Sequence, residues 1–188
     1  MEREHLIQAI QAYVPYNDSE QRDQEQILAY LMQHPRCLTR EDPIAHFTTS
    51  VWTVDQAREK TLMVYHKIYD SWSWIGGHAD GSADLAAVAM RELQEETGIA
   101  QARLVSDAIF SLEILAVQGH TKKGVWIPSH LHLNVTYLAE ADETQPLTAC
   151  AAENSAVQWW GFDDVARVSD EPWMVHQVYQ KLIEKSRA

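Results

Sequence analysis

Gly76-Gly-His-Ala-Asp-Gly-Ser-Ala-Asp-Leu-Ala-Ala-Val-Ala-Met-Arg91-Glu92-Leu-Gln-Glu95-Glu96-Thr-Gly98-Ile99 is the stretch on which the reading of this chain turns. From Asp84 to Thr97 strong helix formers dominate, and Gly98 supplies a natural stop, so the segment reads as a helix. Glu92, Glu95 and Glu96 stand at i, i+3 and i+4 and fall within an arc of about 100°. Ala86, Ala89, Met90, Leu93 and Thr97 cluster on a different side, expected to face the core, while Leu85 is an exception on the acidic side. Carboxylates so close repel by about 3 kcal/mol per pair at about 5 Å and an effective dielectric near ~20. Arg91, four residues before Glu95, offsets part of this. A hard divalent cation would offset the rest, and a few oxygen ligands suit Mg²⁺ or Mn²⁺ with waters completing the shell. A solvated acidic face is the commoner fate of such a stripe, and spacing alone leaves both readings open.

The flanks place this helix in a mixed α/β chain. Leu6, Ile7, Ile10, Tyr13 and Val14 recur at helical spacing before Pro15. Asn17-Asp-Ser-Glu20 resembles a capping box, followed by Ile27, Leu28, Leu31 and Met32 before Pro35. His46–Val54 is rich in β-branched and aromatic residues and reads as a strand, as does Thr61–Lys67, with a Trp- and Ser-rich turn into Gly76. Beyond the central helix, Ala108–Val117, Leu131–Leu138 and Ala156–Phe162 read as strands, and about 172–185 as a last helix with Met174, Val178, Leu182 and Ile183 inward. The expected organisation is a helical N-terminal extension, 1–45, packed on a main domain, 46–188, with a mixed sheet covered by helices.

The 188 residues include 15 Lys+Arg and 27 Asp+Glu, a net charge of −12, with 46% hydrophobic residues. That apolar content closes a core, and the acidity argues against nucleic-acid polymers and anionic membranes as partners. Cys37 and Cys150 match no metal or redox spacing and read as buried thiols. No N-terminal leader or apolar span is visible, so a cytoplasmic protein is expected.

With these elements in place, the quoted stretch closely resembles the Nudix box. The family pattern is Gly, five residues, Glu, seven residues, Arg-Glu, an aliphatic, any residue, Glu-Glu, any residue, Gly and an aliphatic. Counting from Gly77, the residues Arg91, Glu92, Leu93, Glu95, Glu96, Gly98 and Ile99 match. The first Glu falls on Ala83. In the family that residue is thought mainly to steady the loop and helix, often by pairing with the Arg, and Asp80 or Asp84 could substitute. The resemblance extends to His46-Phe-Thr-Thr-Ser-Val-Trp, Tyr65-His66-Lys67, Ser129-His130-Leu-His132-Leu-Asn-Val and Glu153-Asn-Ser-x-Val-x-Trp, similar to a bacterial Nudix subgroup with a helical N-terminal extension.

The resemblance implies a Nudix-like mixed β-sheet sandwiched between helices. It also implies hydrolysis of a nucleoside diphosphate linked to another group, by water attack on phosphorus, with Mg²⁺ or Mn²⁺ as cofactor. Glu92, Glu95 and Glu96 are the expected metal ligands. Glu92, Arg91, Glu95 and Glu153 are the expected catalytic residues, with Glu92 or a later loop carboxylate as base, and Gly76, Gly77 and His78 are expected beside substrate. Glu113 competes with Glu153 for the role of additional carboxylate. The alternative, motivated by Ala83, is a sensor that binds a nucleotide metabolite without efficient turnover.

Several residues stay open between roles. His130 and His132 alternate on a strand and share a face; a zinc pair lacks a third ligand at fitting spacing, and buried or substrate-edge histidines are the other reading. Lys122, Lys123 and Gly124 are expected to form either a phosphate-facing loop or a solvated turn. Of Trp159 and Trp160, one is expected in the core and the other free to stack on a base, with Trp72, Trp74 and Trp126 as rivals. The partner that the resemblance implies is a small nucleotide-type substrate, and the apolar stripes of the extension fit either a homodimer interface or a cover over the site.

Overall fold

All ten residues of strand β1, Ala45–Val54, are buried. A strand with both faces covered belongs in the middle of a sheet, which is why this segment is so rich in Val, Thr, Phe and Trp. The computed structural model describes residues 2–122 and 124–188. Its main sheet has eight strands, with the hydrogen-bonded order β10-β2-β1-β9-β5 and with β3, β4 and β6 pairing β2, β1 and β9. The strands are β2 Lys60–His66, β3 Ser71–Ser73, β4 Ile75–His78, β5 Ala102–Leu104, β6 Ser111–Val117, β9 His130–Ala141 and β10 Asn154–Gly161, while β7 His120–Lys122 and β8 Val125–Ile127 form a separate hairpin. The helices are α1 Glu2–Ala12, α2 Asp18–Gln33, α3 Leu85–Thr97, α4 Val165–Val168, α5 Pro172–Met174 and α6 Gln180–Arg187. A mixed sheet flanked by helices, with two further helices at the N-terminus, is the fold expected. The chain divides into two compact units.

The first unit comprises Met1–Thr49, Gly77–Val88 and Ala108–Thr136. Asn17 caps α2 by accepting from the Glu20 N–H at 2.9 Å, and Leu6, Ile10, Ile27 and Leu31 are the buried apolar residues of α1 and α2. Arg3 donates to the carbonyls of Leu31, His34 (2.9 Å) and Pro35 (3.1 Å) at the end of α2, where carbonyl oxygens lack partners and a cation is favoured. Glu20, 2% exposed, accepts from the Leu112 N–H at 3.1 Å, and its Oε1 lies 2.8 Å from the Ser111 hydroxyl oxygen. Glu113 accepts from Ser111, from Asn134 Nδ2 at 3.0 Å and from Thr136 Oγ1 at 3.0 Å. Glu113 therefore has a structural occupation of its own, keying β6 to β9. Leaving either buried acid unpartnered would cost several kcal/mol, about the effective penalty per buried ion.

The second unit comprises Ser50–Gly76, Ala89–Asp107 and Tyr137–Ala188. Its core centres on Trp52 and Tyr179, both 0% exposed, with rings 5.8 Å apart; Trp52 Nε1 donates to Ser186 Oγ at 3.1 Å. β10 pairs antiparallel with β2 from Asn154 opposite His66 to Gly161 opposite Lys60, with a bulge between Asn154 and Ala156.

Five local expectations are corrected. The Trp- and Ser-rich segment before Gly76 is strand β3 and not a turn, with Gly76 and Gly77 themselves in β4, and 108–110 precede β6 instead of belonging to it. The last helix contains a π turn, Val175–Tyr179, which shifts the apolar stripe: Val175, Val178, Tyr179, Leu182 and Ile183 are buried, and Met174 is only half-buried. Trp159 and Trp160 are both half-buried, and Trp160 lies edge-on to Trp72 at 5.2 Å. Cys37 is buried but Cys150 is partly exposed. Lys123, one of the three residues expected to form a phosphate-facing loop or a solvated turn, lies outside the described residues. No helix among the described residues is long and apolar enough to cross a membrane.

Candidate active site

The three glutamates of α3 meet three different environments. Leu85, Val88, Ala89, Leu93, Glu96 and Thr97 are buried, so the core face of the helix is rotated from the expected one; Ala86 and Met90 are half-buried, and Leu85 is a core residue and no exception. Glu96 is 4% exposed, the Glu92 side chain 17% and the Glu95 side chain 61%. The residues share an arc, but the arc runs from protein interior to solvent.

Glu96 is held through both oxygens. The Gly76 N–H donates to Oε1 at 3.1 Å, and Asn154 Nδ2 donates to Oε2 at 2.7 Å. Asn154 is 1% exposed, and its own Oδ1 has no hydrogen-bond partner among the described residues. The end of α3 is closed by the segment after β9, whose Thr148 and Cys150 N–H groups donate to the carbonyls of Thr97 (2.8 Å) and Glu96 (3.2 Å). Gly98 takes φ +72°, and a Cβ there would stand 3.1 Å from the Thr148 Cβ, so both conformation and close approach call for glycine.

Burial pushes the Glu96 carboxyl up to about 7, against the two hydrogen bonds that favour its charged form, and the charges of Glu92 and Glu153 add to the rise. Burial likewise raises Glu92; Arg91 opposes that, while Glu95 and Glu153 reinforce it. Glu153 sits in the exposed turn before β10, fixed by backbone hydrogen bonds from Lys67 N–H to its carbonyl (3.1 Å) and from its own N–H to the Cys150 carbonyl (3.0 Å). It thus joins the electrostatic neighbourhood of Glu92 and Glu96. Arg91 pairs with Glu92 at 3.3 Å and with Glu95 at 3.8 Å, both at the exposed end of the arc. Oxygen donors of this kind suit a hard divalent cation, although among the described residues Glu92, Glu95 and Glu96 do not bring three ligand atoms within 4.8 Å of one another.

Around position 83, the two residues that could stand in for the missing glutamate are otherwise engaged. Asp80 makes a two-pronged pair with Arg40 at 2.8 and 2.5 Å, and Asp84 caps α3 by accepting from the Ala87 N–H at 3.0 Å. Gly76 serves Glu96 directly, whereas Gly77 and His78 belong to the first unit.

In that first unit, His78 lies among other imidazoles, with its ring 5.2 Å from His46 and 4.9 Å from His132. His46 and His132 both have their pKa lowered: burial pushes His46 down, and burial followed by the charges of neighbouring histidines pushes His132 down to about 2. Asn154 and His46 are the functional candidates the sequence reading missed. Asn154 adjoins Glu153, and His46 opens the β-branched run of β1, but neither has a spacing that announces a partner.

The NUDIX domain profile matches residues 45–184. This chain belongs to the NUDIX family. No curated protein is significantly similar to it in sequence. Solved NUDIX-type folds resemble it at low identity. An Ap4A hydrolase of C. elegans shares 19% identity over 74% of this chain and 93% of its own, with a TM-score of 0.53. The dihydroneopterin triphosphate pyrophosphohydrolase of E. coli shares 15% over 73% and 94%, TM-score 0.53. The NUDIX domain of Shewanella oneidensis NrtR, complexed with ADP-ribose, shares 19% over 85% and 95%, TM-score 0.50. These likenesses establish the fold. Membership of the NUDIX family makes the chain a phosphohydrolase, and pyrophosphate hydrolysis is the reaction in general terms.

Proposed function

We propose that this NUDIX protein hydrolyses the phosphoanhydride bond of a nucleoside diphosphate linked to another group, using Mg²⁺ held by Glu92, Glu95 and Glu96; Mn²⁺ suits the same oxygen donors. The observation that carries the reading is Glu96, buried, fixed through both oxygens by Gly76 and Asn154, and coupled to Glu92 and Glu153. Burying Glu96 close to the charges of Glu92 and Glu153 is costly unless a cation offsets them.

When bound, the cation supplies charge neutralisation at the phosphate oxygens and acidifies a water. The chain's own residues do the rest. Glu153, exposed at the head of β10, takes a proton from the attacking water as the new phosphorus–oxygen bond forms. The bond from phosphorus to the bridging oxygen breaks, and the leaving phosphate departs with that electron pair. Asn154 and the Gly76 N–H keep Glu96 in one rotamer, and Arg91 aligns Glu92 and Glu95 without touching the reacting atoms.

The test is release of nucleoside monophosphate or phosphate from a panel of nucleotide pyrophosphates, with Mg²⁺, with Mn²⁺ and with chelator. Ap4A, dihydroneopterin triphosphate and ADP-ribose, the compounds named with the three matched folds, open the panel. Metal-dependent turnover abolished by Glu96→Gln is the expected result. Tight nucleotide binding with no turnover across the panel would make the protein a sensor, the alternative that Ala83 leaves standing.

A further inference from the structure

The first unit brings together three histidines that lie far apart in sequence. His46 is the second residue of β1, and His130 and His132 are the first and third of β9, so the latter two share one face of their strand. One ring nitrogen from each of the three lies within 4.8 Å of the other two. The ring centroids are 4.9 Å (His46 to His130), 5.1 Å (His46 to His132) and 5.0 Å (His130 to His132) apart.

Hydrogen bonding fixes the tautomers. His46 Nδ1 lies 3.1 Å from the Asp42 carbonyl and His130 Nδ1 lies 2.9 Å from the Pro128 carbonyl. A carbonyl only accepts, so each Nδ1 carries the proton and each Nε2 is left with its lone pair. That is the arrangement in which a metal-ligating histidine is held by a backbone carbonyl on its far side. His46 is 5% exposed, and its Nε2 has no hydrogen-bond partner among the described residues. A buried imidazole nitrogen whose lone pair is not engaged is a donor available to a ligand. His130 Nε2 and His132 Nε2 are 3.1 Å apart, close to the roughly 3.3 Å between two ligands of a tetrahedral zinc ion with bonds of about 2.0–2.1 Å. Without metal, only one proton, on His132, can occupy that contact.

We propose that His46, His130 and His132 form a three-imidazole binding site for a transition-metal dication of the zinc class. Nitrogen donors select Zn²⁺ and its first-row neighbours over Mg²⁺ and Ca²⁺, the reverse of the carboxylates of α3. The nearby Arg40 cation, which bears on both His46 and His132, is itself paired with Asp80, so it opposes a bound dication only weakly. Three protein ligands leave a fourth coordination position, and the partial exposure of His132 gives an ion access. The site rests on different residues from the proposed hydrolytic centre and stands independently of it.

The full chain, stripped with chelator and supplied with excess Mg²⁺, is titrated with Zn²⁺ in a calorimeter and with Co²⁺ followed by visible absorption. One Zn²⁺ per chain is expected, undiminished by Mg²⁺, with Co²⁺ giving the intense bands of a four-coordinate nitrogen site. His132→Asn and His130→Asn are each expected to weaken Zn²⁺ binding at least tenfold, while His176→Asn and Glu96→Gln leave it unchanged. His46→Gln adds a test only if it folds, because His46 is buried. Zn²⁺ binding that survives both His130→Asn and His132→Asn overturns the proposal, as does a Co²⁺ spectrum like that of the hydrated ion or displacement of Zn²⁺ by Mg²⁺.

Discussion

Two clusters of polar side chains in this molecule are built in opposite ways. The acids of α3 come from one helical stretch, carry oxygen donors and gain their special character from burial of one member, Glu96. The histidines come from two strands, with His46 more than eighty residues before His130, and carry nitrogen donors; burial disfavours the charged form of His46 and His132. The first cluster suits a hard cation and a phosphate substrate, the second a softer ion. Their responses to protons are opposite as well. Glu96 binds a proton more readily in the folded protein than in the unfolded one, whereas His46 and His132 bind one less readily.

The largest effect that would separate the clusters is on turnover. Glu96→Gln is expected to lower Mg²⁺-dependent kcat by about 10³-fold or more, about 4 kcal/mol of barrier, in steady-state assays on whichever pyrophosphate the panel identifies. Equal loss of Zn²⁺ binding in this variant would erase the distinction between the two clusters.

Next comes the pH dependence of stability without metal. Raising the Glu96 carboxyl from the ordinary 4.5 to about 7 favours the folded state by about 3 kcal/mol below pH 4.5, and that contribution disappears as pH climbs through 7. Denaturant unfolding in chelator is expected to show wild type losing stability relative to Glu96→Gln between pH 4.5 and 7. His46 and His132 act the other way: their contribution is present above the ordinary imidazole value of 6.5 and lost as pH falls through their lowered folded-state values. A wild-type-minus-variant difference that is flat in pH would contradict the buried environment of Glu96.

Glu153→Gln is expected to lower kcat by about 10²-fold, the lower range for loss of a general base, with less effect on Mg²⁺ affinity than Glu96→Gln. A loss mainly in Mg²⁺ affinity would reassign Glu153 as a ligand. The smallest effect belongs to Ala83→Glu, which restores the family pattern. With Asp80 and Asp84 already engaged by Arg40 and the α3 N-terminus, it is expected to raise kcat or Mg²⁺ affinity only by several-fold, because Arg91 already holds Glu92 and Glu95.

Much of this was legible before any coordinates. The helical stretch ending at Gly98, the Asn17 cap and the strand over 46–54 follow from local propensity, which depends on neighbours within a few residues, whereas the burial of every residue of that strand does not. The π turn was not legible, because packing of Val175, Val178 and Tyr179 decides it and nothing in the apolar spacing does. For the same reason the core face of α3 was misplaced. Leu85 and Glu96 are buried by what lies against them, and helical spacing alone cannot supply that information.

The sequence by itself determined that Glu92, Glu95 and Glu96 share one side of a helix, because helical geometry relates residues three and four apart wherever the helix sits. It also determined the family, since the Gly77–Ile99 pattern is written in consecutive residues. Only the tertiary structure decided that Glu96 is clamped by Gly76 and Asn154 while Glu95 stays in solvent, and that His46 joins His130 and His132. Those contacts arise from strand pairing and loop closure between distant segments, and such non-local geometry has no periodic signature in the chain.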